Sequence, residues 1–194
     1  METFGITNEQ IADARKQLLE RMEEYAKEIG GDKAEIFHGT KKQDAIDLEL
    51  YGFDNRLNYF EMSEPDAETA YGPYVVVVDP YPLIDRLYVD PEGFVAFGNG
   101  KEFEHLLNKC CSLAGRGTLD SWIKAGIDPG ITLWLWSLAE TTMSWVVVKG
   151  KIEPKHILRV HPTRTWNGKL QQFESMRHLT NFSNFEHPSG FEPL

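Results

Sequence analysis

The fold turns on residues 34–53, AEIFHGTKKQDAIDLELYGF. The apolar pair Ile36-Phe37 runs straight into His38, Gly39 and Thr40, and a helix-forming stretch begins at once. The pattern predicts a short strand, AEIFHGT, that ends on an imidazole, a residue without a side chain and a hydroxyl. A helix over KKQDAIDLELYGF should follow, with Ala45, Ile46, Leu48 and Leu50 facing inward and Gly52 closing it. Such an end can hold a small ligand. It can also be a plain strand-to-helix turn.

Upstream, TNEQIADARKQLLERMEEYAKEIGG predicts a helix. Thr7 and Gln10 have capping-box spacing. Ile11, Ala14, Leu18, Met22, Tyr25 and Ile29 recur every three or four residues, and Gly30-Gly31 ends the run. Downstream, LNYFEMS predicts a second strand and EPDAETAYG a short helix with Pro65 in its first turn. YVVVVD is a continuous β-branched run, as expected of a strand covered on both faces. DPYPLIDRLYVDPEGF, with its prolines and acidic turn residues, reads as loop. KEFEHLLNKCCSLA predicts a helix with Phe103, Leu106, Leu107, Cys110 and Leu113 on one side. TLDSWIKAGI predicts a short helix, and ITLWLWSL fits strand or helix. SWVVVKGKI and HILRVHP predict late strands. The fold class is α+β, because the strands do not alternate regularly with long helices.

Composition narrows the function classes. A chain of 194 residues suits one domain and should bury roughly 70% of its unfolded surface without a covalent staple. Its two cysteines, Cys110 and Cys111, are adjacent and form no disulfide framework. Residues 1–29 hold no apolar core of a signal peptide, and no apolar run approaches the ~20 residues of a membrane span. A cytoplasmic protein with no membrane partner is expected, with delivery into a host cell kept open. The net charge of −10 argues against extended contact with a phosphate backbone. No histidine pair has H-x-x-x-H spacing, and no G-x-S-x-G, G-x-G-x-x-G or P-loop motif occurs, so no metal is expected.

Taken in order, F-H-G-T, a helix ending in YGF, then NYFEMS, then DAETAYG and a β-branched strand resemble the ADP-ribosyltransferase superfamily. The branch is the His-Tyr-Glu one of poly(ADP-ribose) polymerases and diphtheria-type toxins. The resemblance covers residues 34–80, returns at WVVVKGKIEPKHILRV, and is lost over residues 81–140. It implies a single ADP-ribosyltransferase-like domain over 1–194, with 1–31 a helical appendage and 163–194 an irregular tail. It also implies a split mixed or antiparallel sheet with flanking helices, and NAD as co-substrate. His38 would hydrogen-bond a ribose hydroxyl, and Gly39 would offer bare backbone to the nicotinamide carboxamide. Thr40 would start the next helix as its N-cap, and Tyr59 and Tyr71 would cover the nicotinamide ring. The family's glutamate falls near Trp145 here, so either the nearest upstream carboxylate, Glu140, takes its place in the expected catalytic set His38, Tyr59 and Glu140, or the site has no glutamate. The implied activity is mono-ADP-ribosylation of a protein acceptor, with a nucleic-acid acceptor kept open.

Each of these residues also has an ordinary role: a strand-end cap for His38, a turn for Gly39, core rings for the tyrosines. Two other functions therefore stand beside the first. One is an NAD- or ADP-ribose-binding or interaction protein on the same fold. The other is an RNA 2′-phosphotransferase-like enzyme, which needs arginines for phosphate, whereas Arg56, Arg86 and Arg116 fall in expected loops. The oligomeric state is left open.

Overall fold

The computed structural model describes residues 1–64, 67, 72–93, 100–139 and 145–163. Tyr71, Glu140, most of the helix expected over EPDAETAYG, and the tail from 164 onward lie outside the described residues. The elements in chain order are α1 (Asn8–Glu28), β1 (Ile36–Thr40), α2 (Lys42–Tyr51), β2 (Leu57–Glu61), β3 (Tyr74–Val78) and β4 (Leu87–Val89). They continue with α3 (Gly100–Ala114), α4 (Leu119–Lys124), α5 (Ile131–Leu138), β5 (Trp145–Lys149) and β6 (Ile157–Pro162). The strands make one six-stranded sheet in the order β4-β5-β2-β1-β3-β6, and every neighbouring pair is antiparallel. The class is α+β, an antiparallel sheet with flanking helices.

Strand alternation divides the valines of β3 between two faces. Val76 and Val78 join the principal core with Ile36, Phe60, Val146 and Val148. Val75 and Val77 pack with Phe37 and Ala67 on the other face. The principal core is completed by helices. Ile11, Ala14, Leu18 and Met22 of α1 enter it, so the expected appendage packs into the core, with α5 as its main partner. Both bonds of the Thr7–Gln10 capping box are made. The stripe of α1 ends on Ala26 rather than Ile29, which is the C-cap and exposed.

Three further expectations are corrected. The proline-rich stretch is not all loop: a 3-10 turn over Tyr81–Arg86 feeds β4, and a second turn follows at Pro91–Gly93. A proline in the first turn of a 3-10 helix loses no needed N–H, which is why Pro82 is tolerated there. Second, α2 meets the sheet along a narrow line through Ala45 and Leu48, so Ile46 and Leu50 point outward, Leu50 being 61% exposed. Third, α3 buries Phe103, Leu106, Leu107 and Cys110, but its line continues to Ala114, leaving Leu113 exposed. Burial pushes the Cys110 thiol up to about 12, so it carries no thiolate near neutral pH. ITLWLWSL is a helix, α5, buried nearly all round, which explains its lack of periodicity.

Gly52 ends α2 at φ 75° and ψ −169°, and the next residue, Phe53, bridges Ile152 through two 2.9 Å backbone hydrogen bonds. This bridge ties the α2–β2 connection to the β5–β6 connection beside the site.

Candidate functional site

The seam between β1 and β2 makes the site. Each of β2–β5 and β1–β3 runs in register over five residue pairs, whereas β1 and β2 share one, Phe37 opposite Glu61. Beyond that pair the strands diverge, and Thr40 and Leu57 end up on opposite walls of a cavity of about 420 Å³. At the point of divergence a side chain replaces the backbone ladder. His38 Nδ1 lies 2.9 Å from the Tyr59 carbonyl oxygen. A carbonyl only accepts, so Nδ1–H donates, and the neutral ring keeps an acceptor lone pair on Nε2. The ring is held edge-on by Phe53, with centroids 5.2 Å apart, and by Phe60 at 5.8 Å.

Burial lowers the pKa of His38, and the bond to Tyr59 and the charge of Asp44 offset this only in part. The folded ring therefore resists protonation that the unfolded chain accepts near 6.5. Between the lowered folded value and 6.5 the unfolded chain binds more protons, so stability rises with pH there. The contribution of His38 is complete above that window and is lost as pH falls through it. Urea denaturation from about pH 7.5 to about pH 5 should show a steeper loss for wild type than for His38→Gln. Parallel curves would refute the assignment.

A second cavity, of about 290 Å³, shares His38 and Tyr59 with the first. Its lining includes Gly39, Tyr59, Glu61, Asp90, Glu92 and Trp145. Phe37 and Gly39 of β1, Tyr59 and Glu61 of β2, and Trp145 of β5 share one strand parity, so they line the sheet face opposite the principal core. The Asp90 N–H bonds the Trp145 carbonyl at 2.9 Å, carrying the β4–β5 pairing one residue further and placing Asp90 at this face. Tyr59 and Asp90 line this cavity together. Burial first, then the charges of Asp90 and Asp120, push the Tyr59 phenol up to about 12, so it stays a neutral donor. Burial also raises the pKa of Asp90, opposed by the N–H groups of Glu92 and Leu119.

The structure thus brings His38, Gly39 and Tyr59 together. Thr40 differs from its expected role: it is the last residue of β1, buried against the larger cavity, and Lys41 is the N-cap of α2 with no side-chain bond. A strand that keeps pairing with Tyr74 through Thr40 holds that residue extended, so the helix starts one residue later. Where the resemblance placed a glutamate, at the start of β5, Trp145 stands half-buried in the cavity wall. Asp90 and Glu92 were missed. The signal available for them was Asp-Pro-Glu-Gly, an Asp whose side chain takes the N–H two residues on, here Glu92 N–H at 2.9 Å.

A third cavity, of about 370 Å³, lies at the C-terminal end of α1 and is lined in part by Arg159, Glu35 and Glu64. Arg159 grips Glu35 with two hydrogen bonds of 2.5 and 2.7 Å. Arg86 likewise donates to the Lys151 carbonyl at 2.7 Å. Neither guanidinium lines the two cavities that share His38. Among the described residues no group of three or more His, Cys, Asp or Glu side chains could hold a metal ion, and no helix is long and apolar enough to cross a membrane. Comparison with protein-family models, with curated proteins and with solved structures found no match.

Proposed function

We propose that the protein is an NAD-dependent mono-ADP-ribosyltransferase with a protein acceptor. One observation carries the reading: two cavities share His38 and Tyr59 in their walls, which sets an imidazole acceptor and a tyrosine ring beside space for a dinucleotide. Nε2 of His38 suits a ribose hydroxyl, which donates. Asp44 and Asp47, on the α2 wall of the larger cavity, suit the donor groups of an adenosine. The smaller cavity has an aromatic ring and acidic walls, which favour the cationic nicotinamide and the oxocarbenium character of the ribose as the bond stretches.

In this reaction the C1′–N bond breaks and its electron pair leaves with neutral nicotinamide. The acceptor's nucleophile then bonds C1′ and gives up its proton to a base. Glu140 is the carboxylate assigned to the cation by the resemblance, and Glu92 is the exposed carboxylate at the cavity wall.

The test is calorimetric titration with NAD, together with chromatographic measurement of nicotinamide released in the presence of a protein extract as acceptor. Binding and release are expected in wild type, with release reduced in Glu140→Gln. Binding without release would assign the second reading, a dinucleotide-binding protein without transfer, for which Trp145 at the start of β5 is the motivating residue. Neither binding nor release would overturn both.

A further inference from the structure

We propose that the acceptor is an arginine side chain, whose guanidinium stacks on Trp145 and meets the carboxylates of Asp90 and Glu92 in the smaller cavity. This rests on the reading of the site as that of an NAD-dependent transferase, and it names the acceptor of that reaction.

The walls select for a cation. Glu61, Asp90 and Glu92 line the smaller cavity, and among the described residues no lysine or arginine does. Asp90 is 2% exposed, yet it stands in this wall. Its carboxylate accepts the Glu92 N–H at 2.9 Å. A carboxylate has about four acceptor sites, so lone pairs remain for a donor in the cavity. A buried carboxylate is costly unless it is paired, and a cation entering here supplies the pair. Glu92 is exposed at the same wall, where an incoming side chain meets it first.

Register gives the cavity two aromatic seats. Glu61 pairs with Trp145 and Tyr59 with Val147, so Tyr59 and Trp145 are diagonal neighbours on one face of adjacent strands. Such neighbours stand about 7–8 Å apart. The nicotinamide lies on Tyr59, and Trp145 is left for the incoming group. Tryptophan is the best of the aromatic faces for a cation. A guanidinium stacks flat on such a face and presents a fork of N–H donors to a carboxylate. A lysine ammonium has the charge but neither the plane nor the fork. A carboxylate acceptor would be repelled, and a hydroxyl gains nothing from the charge. In the transfer the C1′–N bond of NAD breaks and its electron pair leaves on nicotinamide. A terminal guanidinium nitrogen bonds C1′ and gives one proton to the Glu92 carboxylate, which passes it to solvent. The substituted guanidinium keeps its positive charge.

The test supplies NAD together with agmatine, which carries the guanidinium of arginine, with cadaverine, which carries the amine of lysine, or with glutamate- and serine-containing peptides. ADP-ribosylated product is read by mass spectrometry. Agmatine should be modified at least about tenfold faster than cadaverine, and the peptides not at all. Trp145→Leu and Glu92→Gln should each lower kcat/KM for agmatine about tenfold. Faster modification of cadaverine or of either peptide, or an agmatine rate unchanged in both variants, would overturn the proposal. So would nicotinamide release, or NAD binding alone, with no product on agmatine, and either result would leave the NAD site standing. If Trp145→Leu fails to fold, Glu92→Gln, a change at an exposed side chain, decides by itself. Wild type that neither binds nor turns over NAD would instead overturn the NAD reading, and with it this acceptor.

Discussion

Replacing His38 by alanine is expected to lower nicotinamide release by about a hundredfold or more while the chain still folds. Two losses add. The ribose loses the Nε2 acceptor. The seam also loses the bond that sets the spacing of β1 and β2, since the Tyr59 carbonyl is left without the Nδ1–H at 2.9 Å. An unpaired carbonyl there costs about 1–3 kcal/mol of stability, and the gap left beside Phe53 and Phe60 adds to it. Displacement of Tyr59 by even about 1 Å is enough for a hundredfold loss of rate. His38→Gln separates the effects. Its amide can still donate to the Tyr59 carbonyl, so stability should largely return while the rate stays low. Thermal melting and a nicotinamide-release time course measure the two. Wild-type release from His38→Ala would remove the imidazole from the mechanism.

The second large effect is on folding. Gly52→Ala should destabilise the chain by about 3 kcal/mol or more, a fall in midpoint of roughly 10 °C. Gly52 sits at φ 75°, ψ −169°, a conformation nearly closed to residues with a side chain. Space is lacking too: a Cβ would stand 2.0 Å from the Ile152 carbonyl oxygen. That oxygen accepts the Phe53 N–H, so moving it away breaks the bridge that holds Phe53 against His38. A melting midpoint within about 3 °C of wild type would show that the turn adapts.

Much of the scaffold is legible from residue spacing, because its signals are local. The capping box and apolar stripe of α1, the β-branched run of β3 and the Ile36–Thr40 strand all specify themselves within a few residues. Other parts depend on partners distant in sequence. β4 is three residues among prolines and turn formers, and it exists because β5 offers Val146 and Val148 as pairing partners. α5 is apolar all round, so its period is hidden until its neighbours bury it. Within the site, His38, Gly39 and Tyr59 could be picked out by type and order. Asp90 could not, since its place in the cavity wall comes from bringing β2, the end of β4 and the N-cap of α4, Thr118, to one point. The meeting of Tyr59 and His38 across a parted pair of strands is likewise a property of register, which residue order does not display.

The parted sheet also constrains how the chain can be assembled. One half holds β4, β5 and β2, and the other β1, β3 and β6. Following the chain, β1 to β2, β2 to β3, β3 to β4 and β5 to β6 each cross from one half to the other. No cut of the polypeptide separates the halves, so neither can be produced as an autonomous fragment. Pairings such as Asn58 with Val148 or Val76 with Val160 require distant segments to meet before either half is complete. Folding should accordingly be slow for the chain's size, on the order of milliseconds to seconds, with both walls of the cavity appearing in the same step.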